Sequence, residues 1–185
     1  MTRFAIAVIS MLFLSGCMTV TGTPREEHVI YPDDGSDDAS YALSDSITVG
    51  EMSEFMGTSI ITLSFKTNPN LDNDDFRDYL SQSLENAGLL GEGYVLNAQL
   101  LESDNFPLGF KDALAMGDVS RNIIIKYTLV NANGETVFAE VIEGDGSLYN
   151  GNFFRPYHLI EREAAEKGYG DNIRQLIERL RAHEG

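Results

Sequence analysis

The sequence has few of the residues from which catalytic and metal-binding sites are usually built. Its 185 residues include one cysteine, three histidines and no tryptophan. A single cysteine excludes an intramolecular disulfide and a cysteine-rich metal cluster. No serine occupies a Gly-x-Ser-x-Gly elbow, and no histidine pair has the His-Glu-x-x-His spacing of a zinc site. We therefore expect no catalytic residues and no enzyme activity.

Basic residues are also scarce. The chain has 13 Lys and Arg residues against 29 Asp and Glu residues, a formal net charge of -16. A protein of this charge is repelled by nucleic acid and by anionic lipid headgroups. The acidic stretch at residues 33–38 lacks the bidentate glutamate that ends an EF-hand calcium loop. We therefore expect no nucleic-acid partner, no metal and no cofactor.

Long apolar runs are absent except between Phe4 and Leu14. This run follows Arg3 and has about half of the ~20 apolar residues that a membrane-spanning helix needs. A short basic region followed by such a run is typical of a secretory signal peptide. The run leads into Leu14-Ser15-Gly16-Cys17, which resembles the lipobox of bacterial lipoproteins. We interpret residues 1–16 as a cleavable signal peptide of this type.

The lipobox resemblance implies a specific modification of Cys17. In that family a diacylglyceryl group alkylates the thiol, signal peptidase II cuts before the cysteine, and another acyl chain such as palmitate is often added to the new amine. Two or three acyl chains anchor a protein to a membrane far more firmly than one. Met18, where an aspartate would retain enterobacterial lipoproteins, implies an outer-membrane anchor with the domain in the periplasm. The alternative is that Cys17 is an ordinary small core residue.

The remaining chain divides into two parts by composition. Residues 17–40 are polar and have few large apolar side chains, which predicts a flexible acidic tether after the lipidated cysteine. A flexible chain of ~23 residues has a typical end-to-end distance of ~25 to 30 Å. Residues 41–185 have a length and composition that suit a single folded domain.

Alternating apolar and polar residues predict the strands of this domain. One short strand is expected at residues 47–49, and another contains Ile61, Leu63 and Phe65. Three longer strands are predicted at residues 94–101, 121–130 and 136–142. Asn133-Gly134 lies between the last two, and such a pair is a strong hairpin signal.

Capping residues predict the helices. Asp72 is placed to cap a helix that ends at Gly88, and Pro156 is placed to begin a terminal helix. We expect Gly168 and Gly170 to divide the terminal helix, with Asp171 capping its second piece. The predicted order is β-α-β-β-β-α. It indicates an α+β two-layer sandwich, with a mainly antiparallel sheet and helices packed on one face.

A series of apolar and small residues in this domain resembles small, uncharacterised lipoproteins of Gram-negative bacteria. Their domain type is broadly similar to that of the auxiliary lipoproteins of lipopolysaccharide assembly and ABC transport. The resemblance covers about residues 45–182 and implies the fold and a cell-envelope location; the two glycines in the last helix depart from the pattern. The matching residues are Phe76, Leu80, Ser81, Ser83, Leu84, Gly88, Leu89, Leu90, Tyr94, Leu96, Ala98, Gly109, Phe110, Tyr127, Leu129, Gly134, Val137, Phe138, Asn172 and Ile173.

Two aromatic loops are candidate contact sites. Phe106 and Phe110 lie in one, and Phe153 and Phe154 lie in the other. Exposed together, these side chains would form an apolar patch of the kind that binds a partner or lipid. The alternative is that the loops fold back and close the open face of the sheet.

These observations favour a lipid-anchored, non-enzymatic accessory module that binds another envelope component, most simply a protein, in assembly or transport. A second hypothesis is a periplasmic carrier that holds an apolar or acyl ligand in a cavity lined by the four loop phenylalanines. A third, more distant hypothesis is an envelope hydrolase that uses His158 and a neighbouring acid.

The predicted anchor is tested by intact-mass analysis of protein extracted from membranes. We expect a species that begins at Cys17 and carries two or three acyl chains, because the lipobox directs both modifications. The Cys17→Ala variant should lack the acyl mass. Equal masses in the two proteins, apart from the substitution itself, would contradict the lipid anchor.

Overall fold

The computed structural model describes residues 22–33, 35, 41–61, 66–103, 117–151 and 155–183. The predicted signal peptide and Cys17 lie outside these ranges. No helix within them is both long enough and apolar enough to cross a membrane. The helices in these ranges are α1 (Glu26–Val29), α2 (Asn73–Asn86) and α3 (Tyr157–Arg181).

The main sheet has four strands. These are β1 (Ile47–Ser53), β4 (Tyr94–Ser103), β6 (Asn122–Asn131) and β7 (Thr136–Asp145), in the spatial order β1-β4-β6-β7. Strand β1 is parallel to β4, whereas β4, β6 and β7 are antiparallel neighbours. Both long helices pack against this sheet, so the predicted α+β class with a mainly antiparallel sheet is confirmed.

The core lies between one face of the sheet and the helices α2 and α3. Alternate residues of each strand point into it, as the two-residue period of a strand requires. The buried side chains from β4 and β6 are Leu96, Ala98, Leu100, Ile123, Ile125, Tyr127 and Leu129. Those from the helices are Phe76, Leu80, Leu84, Tyr169, Ile173, Leu176, Ile177 and Leu180.

Two local predictions are confirmed. The Asp72 carboxylate accepts hydrogen bonds from the backbone N–H groups of Asp74 and Asp75, at 3.0 and 2.8 Å, and so caps α2. The Asn-Gly pair lies in the turn between β6 and β7, where the Gly134 N–H donates to the Asn131 carbonyl oxygen at 2.9 Å. In both cases a few adjacent residues determine the backbone conformation.

The predicted strand around Ile61 is wrong as a single strand. The structure has two three-residue strands here, β2 (Ser59–Ile61) and β3 (Lys66–Asn68), which pair antiparallel with Ile61 opposite Lys66. Leu63 and Phe65 lie outside the described residues. Alternation along the sequence did not distinguish one long strand from two short ones, because both have the same two-residue period.

The predicted break in the terminal helix is also wrong. Helix α3 is continuous, because its glycines serve close packing: a Cβ atom added to Gly168 would lie 2.8 Å from Ile123 Cγ1. On the facing strand, a Cβ atom on Gly144 would lie 2.1 Å from the Gly168 carbonyl oxygen. Asp171 caps no second helix; its carboxylate instead accepts a hydrogen bond from the Asp145 N–H at 3.0 Å.

Buried polar groups fix the position of α3 on the sheet. The Asn172 Nδ2 group donates to the carbonyl oxygens of Ile123 and Ile142, at 2.9 and 2.7 Å. Its Oδ1 atom accepts from the Tyr127 hydroxyl at 2.8 Å. Burial raises the pKa of Tyr127 well above its usual range, so the hydroxyl keeps the proton that it donates. Asn172 thus joins α3 to β6 and β7.

The prediction of a flexible tether over residues 17–40 needs correction for residues 22–33. The segment of residues 22–31, here called the strap, contains α1 and lies against α2 and α3. The Val29 side chain is buried in the main core, with only 1% of its surface exposed. Composition did not predict this packing, because the strap is held by one buried valine and several hydrogen bonds and not by many apolar residues. The folded unit therefore begins well before residue 41.

Close contact between α3 and β7 leads to a stability prediction. Gly144→Ala should lower the free energy of unfolding by roughly 1–3 kcal/mol, because the new methyl group overlaps the backbone of α3. Urea denaturation followed by circular dichroism measures the change. Gly151→Ala is the control, since its added Cβ contacts only the Tyr149 ring, at 3.3 Å. Equal stabilities of the two variants would contradict tight packing at Gly144.

Candidate interaction surface

The second face of the main sheet is exposed, and we call it the open face. Its residues form rows across the paired strands. The open face comprises Thr48, Val95 and Val130 in one row, Asn97, Thr128 and Ala139 in the next, and Ser53, Gln99, Lys126 and Val141 in the third. The Val95 and Val141 side chains are 43% and 54% exposed, so no described helix or loop covers them.

The open face is nearly free of charge. Lys126 is the one charged side chain among the ten residues that define it, although the whole chain has 29 acidic and 13 basic residues. The other nine are β-branched, small or amide-bearing residues. Depletion of charge together with exposed apolar side chains distinguishes the centre of a protein interface from ordinary protein surface.

A shallow depression of about 300 Å³ lies over β1, β4 and β6 in this face. Its lining includes Glu51, Asn97, Gln99 and Lys126. It forms where β1 departs from regular pairing between Val49 and Met52. The Asn97 side chain fills the irregularity and accepts a hydrogen bond from the Glu51 N–H at 2.7 Å. The depression gives the otherwise flat face one recessed, polar position.

Acidic residues lie around the open face. Glu51 borders it on β1, and Glu102 and Glu143 flank Ile124 in the neighbouring strands. All three carboxylates belong to exposed residues. Glu143 also accepts a hydrogen bond from the Asn122 Nδ2 group at 2.7 Å. The surface therefore has a weakly charged centre and an acidic border.

The edge of β7 is less available than the open face. Near the end of the strand, the Asp145 N–H donates to Asp171, and the Glu143 carbonyl oxygen accepts from Gln175 Nε2 at 2.8 Å. Both partners are side chains of α3. Covering of an edge strand in this way blocks the addition of a further strand. Side chains of α3 therefore cover the last residues of the β7 edge.

The strap is held by charged and neutral hydrogen bonds. The Glu166 carboxylate, on α3, accepts from Arg25 through Nε at 2.9 Å, Nη2 at 3.1 Å and the backbone N–H at 3.0 Å. The Glu166 side chain is 2% exposed and that of Arg25 is 42% exposed. The pKa of Arg25 is raised, mainly because its side chain is hydrogen-bonded to Glu166. This pair fixes the first part of the strap.

The second part of the strap is bound to α2. The Tyr31 N–H donates to Ser83 Oγ at 3.0 Å, and Asn86 Nδ2 donates to the Tyr31 carbonyl oxygen at 2.8 Å. The guanidinium of Arg181 lies over the Tyr31 ring, 5.5 Å from its centroid. The strap therefore bridges α2 and α3 on the side of the domain that bears the helices.

The four loop phenylalanines predicted as contact residues, Phe106, Phe110, Phe153 and Phe154, lie outside the described residues. So do Leu14, Ser15, Gly16 and Cys17, the residues of the predicted lipid attachment site. The structure does pair β5 (Gly117–Val119) with β8 (Leu148–Asn150), with Gly117 opposite Asn150. Gly117, which follows the first predicted loop in the sequence, and Asn150, which precedes the second, are therefore paired in this ladder. The contact and ligand-carrier hypotheses stay predictions.

His158 lies partly exposed in the first turn of α3. Across the described ranges, no group of three or more His, Cys, Asp or Glu side chains is placed to hold a metal ion. The hypothesis of a hydrolase based on His158 stays a prediction.

Sequence reasoning missed the open face as a surface. Alternation did assign Asn97 and Gln99 to the polar side of their strand. It did not show that neighbouring strands place other uncharged residues beside them, because register depends on long-range pairing. The shortage of charged residues at the outward-facing positions of four strands is the sequence signal that could have predicted this face.

Comparisons with known proteins identify no family. No family model and no curated protein sequence matches the chain. Among solved structures, a candidate lipoprotein from Caulobacter crescentus CB15 is similar at a TM-score of 0.43 and 16% identity, over 58% of this chain and 78% of that one. A hypothetical protein from Chlamydia trachomatis is similar at a TM-score of 0.47 and 10% identity, over 76% of this chain and 97% of that one. A minor lipoprotein from Acinetobacter baumannii is similar at a TM-score of 0.47 and 12% identity, over 75% of this chain and 92% of that one. Similarity at these TM-scores assigns neither an activity nor a cellular location to this chain.

The strap contacts predict slow hydrogen exchange at its amides. Glu166→Gln should accelerate exchange at residues 25–31 by about tenfold, because it removes the charge from the hydrogen bonds with Arg25. Exchange followed by mass spectrometry measures the effect. Glu178→Gln is the matched control, because Glu178 pairs with Arg174 on the same helix and its carboxylate makes no hydrogen bond to the strap among the described residues. Fast exchange of the strap in the unsubstituted protein would show that the strap does not pack.

Proposed function

We propose that this protein is a lipid-anchored domain of the bacterial cell envelope that binds another envelope protein through the open face and catalyses no reaction. The anchor is the acylated Cys17, with palmitate among its acyl chains. In this proposal the anchor lies in the outer membrane, and the domain extends into the periplasm.

The near absence of charge on the open face is the observation that carries this proposal. A chain with a formal net charge of -16 keeps all ten positions of the open face free of carboxylates, and Glu51 lies at the border of that face on β1. Solubility alone would be served equally well by acidic residues at these exposed positions. An interface centre, in contrast, favours neutral side chains, because burying an unpaired charge is costly.

The acidic border indicates the chemistry of the partner. Carboxylates of Glu51, Glu102 and Glu143 would attract lysine and arginine residues around a neutral patch on the other protein. A second copy of this chain fits poorly, since two strongly acidic chains repel one another. The proposed partner is therefore a protein with a neutral centre and a basic border at its binding surface.

Photo-crosslinking in living cells tests this proposal. A photoreactive amino acid placed at Val141 or Val95 should form an adduct with the same partner, because both side chains are exposed on the open face. The crosslinked region of the partner should be rich in lysine and arginine. The same group at Tyr149, which is 75% exposed on β8, is the control and should give no such adduct. Adducts of equal yield from all three positions, or none from Val141 and Val95, would contradict the proposal.

A charge variant adds a quantitative test. Val141→Glu should lower recovery of the crosslinked partner in a pull-down from gently solubilised membranes by about tenfold, because it places a carboxylate at the neutral centre. Tyr149→Glu introduces the same charge elsewhere and should leave recovery unchanged. If no partner is recovered above the level of unanchored Cys17→Ala protein, the proposed function fails.

A further inference from the structure

We propose that the strap holds the domain close to the membrane and turns the open face away from the bilayer. This inference rests on the anchor at Cys17 that is part of the proposed function. It differs from the expected long tether, in which the whole of residues 17–40 separates the domain from the membrane.

The strap is bound to the domain along its length. Arg25 is joined to the buried Glu166 by three hydrogen bonds, Val29 is part of the core, and Tyr31 bonds to Ser83. Gly22 and Pro24 are also buried. The strap therefore belongs to the folded domain from residue 22 onward.

A glycine of α3 leaves room for the backbone of the strap to pass close to the helix. A Cβ atom on Gly170 would lie 3.0 Å from the His28 carbonyl oxygen and 3.6 Å from that of Val29. Only hydrogen occupies this position, so the strap backbone passes directly over the helix. The second glycine of the terminal helix, which departs from the resembled family pattern, thus has a specific role in this chain.

Only a short length of chain lies between the anchor and the strap. Four residues lie between Cys17 and Gly22, so five residue-to-residue steps join them, and a fully extended chain of this length spans at most ~18 Å. This limit holds for any conformation of those residues. The beginning of the strap therefore lies within ~18 Å of the acylated cysteine at the membrane surface.

The contacts of the strap also set the side of the domain that is joined to the anchor. The Tyr79 hydroxyl of α2 donates to the Pro24 carbonyl oxygen at 3.4 Å, and Arg25 is bound to α3, so the strap begins on the helices. The helices and the open face are on opposite sides of the main sheet. A short connection from the helices to the membrane places the open face on the distal side, where a periplasmic partner reaches it.

The negative charge of the domain opposes its close approach to an anionic membrane surface. Glu26 and Glu27 are exposed on α1, and the domain as a whole is strongly acidic. Anionic headgroups would repel such a domain over about a Debye length, ~8 to 10 Å at moderate salt. On a long flexible tether the domain would move away and rotate freely. The strap opposes this movement and keeps the domain in one orientation relative to the membrane.

Two insertions distinguish a bound strap from a free tether. Because Cys17 is the single cysteine, protein of residues 17–185 can be coupled through it to maleimide-bearing lipid in a phosphatidylcholine bilayer. Neutron reflectometry then measures the distance from the headgroups to the protein layer. Ten Gly/Ser residues inserted after Thr21 should move the layer outward by about 9 Å. The same insertion after Asp37, beyond the strap, should leave the distance unchanged.

Equal outward movement in both insertion variants would overturn the inference, because a free tether lengthens equally at either site. Circular dichroism and urea denaturation of each variant report whether the fold is retained. The coupling is chemical, so this result does not depend on acylation in the cell. A failure of the mass test at Cys17 therefore stays distinct from a failure of the strap.

Orientation is measured in the same bilayers. The chain has no tryptophan and eight tyrosines, so one introduced tryptophan, excited at a wavelength that tyrosine does not absorb, serves as the donor of fluorescence energy to dansyl-labelled lipid. Glu27→Trp on the strap should transfer energy more efficiently than Gln99→Trp on the open face. Equal transfer from the two sites, or stronger transfer from Gln99→Trp, would overturn the proposed orientation.

Discussion

The close packing of α3 against β6 and β7 is the contact on which the other features depend. Gly144 and Gly168 let the helix backbone approach the strand to a distance that no side chain at either position would permit. Asn172 then bonds to two carbonyl groups of the sheet and to the Tyr127 hydroxyl. Steric fit brings the helix close, and buried hydrogen bonds fix its rotation.

Each other feature uses a different side of α3. Gln175 and Asp171 cover the end of the β7 edge, Glu166 binds Arg25, and Gly170 accommodates the strap. Because both helices and the strap occupy one side of the sheet, the other side remains exposed. The open face is thus a consequence of one-sided packing, and its shortage of charge is the feature that packing does not explain.

The proposed arrangement is a short anchor, a helical layer near the bilayer and a neutral sheet face directed away from it. This arrangement gives the acidic composition a second consequence beyond solubility. Acidic residues border the open face and favour a basic partner, while the same charge resists close approach to anionic lipid. The strap limits the effect of that repulsion on the position of the domain.

Local signals were sufficient for much of the fold. Asp72, the Asn133-Gly134 pair and the alternation in β4, β6 and β7 each act over a few residues, and each was predicted correctly. Gly168 and Gly170 misled the prediction, because a glycine that breaks a helix and a glycine that permits close packing look the same in the sequence. Only the facing atoms of Ile123 and His28 distinguish the two roles.

The sequence by itself determined the fold class, the strands β4, β6 and β7 and the lipobox resemblance, because these depend on composition, period and adjacent residues. Only the tertiary structure decided that a polar segment binds the helices and that uncharged residues of separate strands share one face. The strap depends on Arg25 meeting Glu166, which lies 141 positions away. The open face depends likewise on strand register. Contacts over such separations are set by the packing of the whole domain, and no local pattern encodes them.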